Sequence, residues 1–499
     1  MPLSYDPSGV AAIAAPAPDI HQMFVVAQRR SSSSESEVHA KFAKVHGMPG
    51  TSLSRWTMLH FAIALAAFVT AQAVMVVGWC YPSAPVGAPA TLAVVHLLTV
   101  GWLTILILGA LHQFVPMVTA RPAAGGPAAP LPLIGIGVGL AGMVVGFLSL
   151  DGTLPAVGVV GLPVGGVLVL LSVTLAAATL APPLWQTRPI ALPARFVLAG
   201  LGFLLATCGL GLTFAAVLAC PTVFPWGQLL AVGLRAHVVG GLVGWFTLTA
   251  LGVSYRMLGM FMLAPDDRGR LGHTAFLLTA CGLAIAWLAS LAQMLDTLAL
   301  HTLVAMGEAI AALGVALYLG DMVRLYRARR RRVLELHSVA AAASLGALAV
   351  AIVLLVVADL ASSFDDVTGP ALYLLVFGSL SGLALGQLYK LVPFLTWLQR
   401  YASLLGKAPV PSVEELVNER RAAPWFVLYF GAVTIGTACG LLGWPTFWRL
   451  AVAAHLLATI GIARELWRAR RWSPVRTASS RGAGSAWRPS PPTQHGVPS

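Results

Sequence analysis

Four histidines, His96, His237, His301 and His455, fall in long apolar stretches of the chain. Ionisable or metal-binding side chains in such surroundings are costly and are functional candidates by default. A neutral imidazole nitrogen is a good axial ligand to haem iron and a good ligand to copper. His96 and His237 are the sharpest candidates for that chemistry, with His301 and His455 as further metal donors. The competing reading of each is a hydrogen bond to a carbonyl on a neighbouring helix, and no two histidines stand at i, i+4 as in a single-helix metal site. Arg235, two residues before His237, is suited either to an anionic group such as a haem propionate or to anchoring its helix at the membrane surface. Glu308 follows His301 by seven residues, so the two project from one helix face. A carboxyl at that depth needs a partner or stays protonated. It serves a proton path or a hydrogen bond between helices.

The remaining histidines read as structural or incidental. His60, His112, His273 and His337 lie toward helix ends, where an imidazole is easily accommodated, and His21, His39, His46 and His495 lie in the chain ends. The five cysteines are scattered and form no C-x-x-C, so neither a thiolate metal site nor covalent haem attachment is expected.

The elements that position these side chains are membrane helices. Apolar runs at 55–79, 89–118, 131–150, 155–180, 194–220, 228–258, 271–295, 298–323, 337–358, 369–396, 424–443 and 447–466 predict twelve of them. A hydrocarbon core of about 30 Å takes about 20 helical residues to cross. Hydrophobic residues make up 58% of the 499, and charged ones only 10%, against about a quarter in soluble domains. The net charge of +13 does not imply nucleic acid, because the Lys and Arg residues sit in alternate loops. Those loops include Arg121, Arg188, Arg268, Arg270, the run Arg329 to Arg332, and Lys407, while the opposite loops carry Asp151, Asp296, Asp359, Asp365 and Asp366. The positive-inside rule makes the first set cytoplasmic. The expectation is a bacterial inner-membrane protein with both termini inside. A disordered segment over 1–54 and a basic tail over 467–499 then flank a transmembrane domain at 55–466. In that orientation His96, His237, His301 and His455 share the periplasmic half.

Three helices carry one pattern. The second reads GWLTILILGALHQFVPM from Gly101, the sixth GWFTLTALGVSYRMLGM from Gly244, and the tenth GSLSGLALGQLYKLVPF from Gly378. Each repeats glycine eight residues on (Gly109, Gly252, Gly386), followed by His112, Tyr255 or Tyr389 and then by Gln113, Arg256 or Lys390. The steps are 143 residues from Gly101 to Gly244 and 134 from Gly244 to Gly378, each four helices long. Twelve helices therefore divide into three sets of four, and the glycines are placed to let neighbouring backbones approach closely.

This pattern resembles subunit I of the haem–copper oxidase superfamily, especially its nitric-oxide-reductase and cbb3-type branches. The resemblance implies an all-α membrane fold of twelve helices in three pseudo-symmetric four-helix arcs. It implies that His96 on the second helix ligates a haem, and that His237 on the sixth falls where the family supplies a copper ligand. The departures are specific. The seventh helix holds only His273, at the wrong end, and the tenth holds no histidine, so a complete binuclear centre is not expected. The expectation is a b-type haem, with or without copper, in electron transfer, redox or nitric-oxide-related work beside a membrane or periplasmic redox partner. A secondary transporter using Glu308 and Lys390, or a cofactor-free structural subunit, is the alternative.

Overall fold

The computed structural model describes residues 50–471 except 83, 122–129, 224–226, 266–268, 294–297, 361–363 and 405–409. Most of the expected terminal segments, and the loop residues Arg268, Asp296 and Lys407, lie outside the described residues. Every regular element among the described residues is helical. Twelve helices are long and apolar enough to cross a bilayer: α1 (Arg55–Val77), α2 (Pro89–Thr119), α3 (Leu131–Leu150), α4 (Ala156–Gln186), α5 (Leu192–Ala219), α6 (Gly227–Met262), α7 (Gly269–Ala292), α8 (Leu300–Arg327), α9 (Leu336–Asp359), α10 (Val367–Arg400), α11 (Glu419–Leu441) and α12 (Pro445–Arg471). This is a multi-pass membrane protein. Large apolar side chains stay exposed, Val138, Leu171, Val353, Val427 and Leu450 among them, as surfaces facing lipid require.

Local chemistry sets the helix ends. Proline stands in the first turn of α2, α3 and α5, where its missing N–H costs nothing. Three ends lie five or six residues beyond the apolar runs. α4 continues through Pro182 and Pro183 to Gln186. α11 begins at Glu419 because the Asn418 side chain accepts the Arg421 backbone N–H. α12 persists to Arg471, past the expected boundary at 466. Glu465, almost fully buried there, pairs with Arg468 one turn on and takes a 2.7 Å hydrogen bond from Arg421 on α11.

Packing repeats at intervals of four helices. α1 packs on α2, α5 on α6 and α9 on α10, while α3 pairs with α4, α7 with α8 and α11 with α12. The paired glycines explain the first group. Ideal Cβ atoms on Gly101, Gly244 and Gly378 would lie 3.0 Å from Ala67 Cβ, 2.5 Å from Phe203 Cγ and 3.0 Å from Ala347 Cβ. Those on Gly109, Gly252 and Gly386 would lie 2.5 Å from His60 Cβ, 2.5 Å from Phe196 Cβ and 3.0 Å from Ala340 Cβ. On each outer helix the two contacted residues are seven apart, two helical turns, matching the eight-residue spacing of the glycines.

α2, α6 and α10 also share a backbone irregularity. Each carries an eight-residue π-helical segment, at Leu97–Thr104, Gly240–Thr247 and Leu374–Ser381. The segments begin 143 and 134 residues apart, the same steps as the sequence motif. Their sixth residues are Trp102, Trp245 and Ser379, and their eighth are Thr104, Thr247 and Ser381. The Trp102 indole N–H donates to Ser381 Oγ at 2.9 Å, and Trp245 donates to Thr104 Oγ1 at 3.2 Å. The sixth position of α2 thus bonds the eighth of α10, and the sixth of α6 bonds the eighth of α2. The corresponding third pair is Ser379 and Thr247, where a short hydroxyl stands in place of the indole.

Candidate functional site

His96 closes the first α-helical part of α2 and directly precedes its π segment. Its position, counted at ~1.5 Å per residue from Pro89, is about 10 Å below the helix start. The Nδ1–H donates to the Leu92 carbonyl at 2.7 Å. That bond fixes the tautomer and leaves Nε2 with the lone pair, the arrangement usual for a ligating imidazole. The ring packs on Phe147 of α3, with centroids 5.0 Å apart.

His237, on α6, lies within electrostatic reach of His96. Its ring sits against Gly211 of α5, where an added Cβ would approach Cε1 to 2.8 Å, and tilts over Phe214 at 5.5 Å. Its ring faces the Thr207 backbone of α5, with Nδ1 outside good hydrogen-bond geometry, while Thr207 Oγ1 and Trp287 Nε1 are buried without hydrogen-bond partners. Those last two atoms converge on Gly240, 2.6 and 2.9 Å from its ideal Cβ position. Buried polar atoms left unpaired cost about 1–3 kcal/mol each, and these two cluster at the start of the α6 π segment. π bulges are frequent at functional sites, since they free backbone groups.

The other expected site residues go elsewhere. His301 is exposed at the head of α8 and bonds Gln293 at 3.0 Å through Nδ1. His455 is fully buried on α12, held by Gln72 Oε1 at 2.7 Å and ringed by Tyr373, Phe377 and Tyr429. Neither joins His96 and His237 in a metal-binding group, and no cluster of three or more His, Cys, Asp or Glu suited to a metal occurs among the described residues. Arg235 meets Glu308 in two hydrogen bonds, of 2.9 and 2.5 Å, and reaches Asp359 at 3.3 Å. The carboxyl that needed a partner has one, and the pair ties α6 to α8 and α9. Lys390 is likewise paired, with Glu335 at 2.5 Å, and Glu335 also meets His337 at 3.2 Å and Arg331.

Sequence reasoning missed Phe147, Phe214, Gly211, Thr207 and Trp287. Their only advance signal was position, since each lies on a helix next to α2 or α6 in the chain. The donor set suits haem better than a bare ion. Two imidazoles complete the axial positions of a haem iron, whereas a closed zinc-type site takes four ligands. Two cavities among the described residues are lined by other side chains, and the His96 and His237 rings pack directly on Phe147 and Phe214. A porphyrin would therefore have to part the contacts with Phe147 and Phe214. No protein-family model matches the chain, and no characterised protein matches it in sequence.

Proposed function

We propose that the chain is a divergent integral membrane protein of the haem–copper oxidase subunit I type, binding a b-type haem between His96 and His237. The reading sets both residues in the outer half of a bacterial cytoplasmic membrane, with both termini inside and three four-helix arcs around the α2, α6 and α10 segments. Its main support is the pair of neighbouring imidazoles on equivalent helices, one with a fixed tautomer, beside the buried and unpartnered Thr207 Oγ1 and Trp287 Nε1.

A bound haem with two imidazole ligands supplies one-electron transfer. The chain's own part is positional. The Leu92 carbonyl orients His96 and makes its Nε2 a better donor. Phe147 and Phe214 keep water from the imidazoles. The Arg235 cation, two residues from His237, is fixed by Glu308 and Asp359 on the side nearest a periplasmic redox partner. Copper bound by these two residues alone is the lesser option. Without histidine on α10, and with only His273 on α7, oxygen reduction at a binuclear centre is not part of the proposal.

Haem content tests it. Protein purified from haem-replete cells should carry about one haem per chain, lost in His96→Ala and His237→Ala and kept in His301→Ala. Haem-free wild-type protein would favour the cofactor-free subunit, which the close packing of both rings suits. A transporter that moves protons or cations through Glu308 or Lys390 is less well supported, because both side chains are already paired across helices.

A further inference from the structure

The missing third link has a cavity in its place. Between α6 and α10 lies a void of about 10 Å³, lined by Thr247, Ser254, Tyr318, Ser344 and Ser379 among apolar neighbours that include Leu251 and Leu348. Thr247 and Ser379 are the two residues that would be bonded if α10 carried an indole at its sixth π position, as α2 and α6 do. The void therefore lies where the repeat differs in a side chain.

Its lining specifies an occupant. Five side chains offer hydroxyl groups and none is charged, so an ion has no counter-charge there. The volume matches about one water-sized probe, which excludes anything larger. Thr247 already donates to the Leu242 carbonyl at 2.9 Å and Ser344 to the Ala340 carbonyl at 2.9 Å. Each therefore keeps oxygen lone pairs for a donor. Ser254 and Ser379 are almost fully buried, in a region where bulk solvent cannot serve them. A buried hydroxyl without a hydrogen bond costs about 1–3 kcal/mol. A molecule with two donors and two acceptors satisfies both kinds of neighbour, and buried waters make about three such bonds.

We infer that a single water molecule is a permanent part of this fold, seated between Ser379 and Thr247 and completing the hydrogen-bonded cycle of the three π segments. It replaces, in α10, the indole N–H that α2 and α6 supply themselves. The site is independent of any cofactor at His96 and His237.

Two measurements test this. A structure at a resolution that shows other internal waters should hold one density peak within hydrogen-bond distance of Ser379 Oγ and Thr247 Oγ1. A featureless void there would overturn the inference. Infrared difference spectra in H2-18O against H2-16O should show an isotope-sensitive stretch from a weakly exchanging internal water. That band should vanish in Ser379→Ala and in Thr247→Val, while a band unchanged in both variants would contradict the assignment. The second variant keeps nearly the same shape, so loss of the fold in one does not leave the question open.

Discussion

Replacing the second glycine of the α6 and α10 repeats by alanine tests the packing argument quantitatively, because the two sites share one motif and differ in what a methyl group would meet. At Gly252 the new Cβ would lie 2.5 Å from Phe196 Cβ and 2.8 Å from the Pro193 carbonyl oxygen. Both atoms are fixed to the α5 backbone, and ordinary carbon contacts sit near ~3.5–4.0 Å. α5 must therefore retreat by about 1 Å, and overpacking of this kind costs about 1–3 kcal/mol. Alanine regains about 1 kcal/mol in helix propensity. The net expectation for Gly252→Ala is a loss of about 1–2 kcal/mol. At Gly386 the nearest atoms are Ala340 Cβ at 3.0 Å and the His337 carbonyl at 3.4 Å. A shift of a few tenths of an ångström suffices there, and Gly386→Ala should be nearly neutral. Gly320, on α8, has nothing within 4 Å of its ideal Cβ, so Gly320→Ala should gain up to about 1 kcal/mol. The assay is thermal unfolding in one detergent, followed by the loss of the monodisperse peak. The predicted order of stability is Gly320→Ala, then wild type with Gly386→Ala, then Gly252→Ala. A Gly252→Ala protein as stable as wild type, or less affected than Gly386→Ala, would refute the close-approach argument.

Other outcomes follow from single contacts. Trp102→Phe removes the indole bond to Ser381 and should cost about 1–2 kcal/mol in thermal unfolding; a neutral result would mean the link between α2 and α10 contributes nothing. A double-mutant cycle on Arg235→Gln and Glu308→Gln should give a coupling of about 1 kcal/mol, since both side chains are partly exposed. Strict additivity would show that the pair does not hold α6 to α8. Glu335→Ala should destabilise more, by about 3 kcal/mol, because it strands the buried Lys390, and adding Lys390→Met should recover much of the loss. Cys80, outside the spans, has its thiol pushed up to about 11, chiefly by burial. It therefore stays protonated at neutral pH, and its alkylation in the native protein should be negligible at pH 8 and rise only as the pH nears 11. Rapid labelling of Cys80 at neutral pH would contradict that burial.

The legible part of this protein was the part written in one dimension. Runs of apolar residues located all twelve spans, and the spacing of Gly101 and Gly109 against Gly244 and Gly252 announced which helices pack alike. The ends that moved, at Gln186, Glu419 and Arg471, are set by a proline pair that a helix absorbs and by polar pairing that hydropathy does not register. The π segments were not foreseeable from composition, since LLTVGWLT, GGLVGWFT and LLVFGSLS share little beyond a glycine at the fifth position. Their irregular backbone goes with the Trp102 and Trp245 bonds to partners 279 and 141 residues away. Distance in sequence also hid the fate of the ionisable candidates. Arg235 meets Glu308 73 residues on, and His455 meets Gln72 across 383. His96 and His237 were singled out by their place on equivalent helices. The aromatic rings that close over them were not.

The most direct test of the functional account is a reduced-minus-oxidised optical difference spectrum of the purified wild-type protein beside His237→Ala. Two-imidazole coordination predicts the sharp visible bands of a six-coordinate low-spin b-type haem in the wild type, and their disappearance or conversion to a high-spin form in the variant. A flat wild-type spectrum, or identical spectra from both proteins, would place any redox centre away from these two histidines.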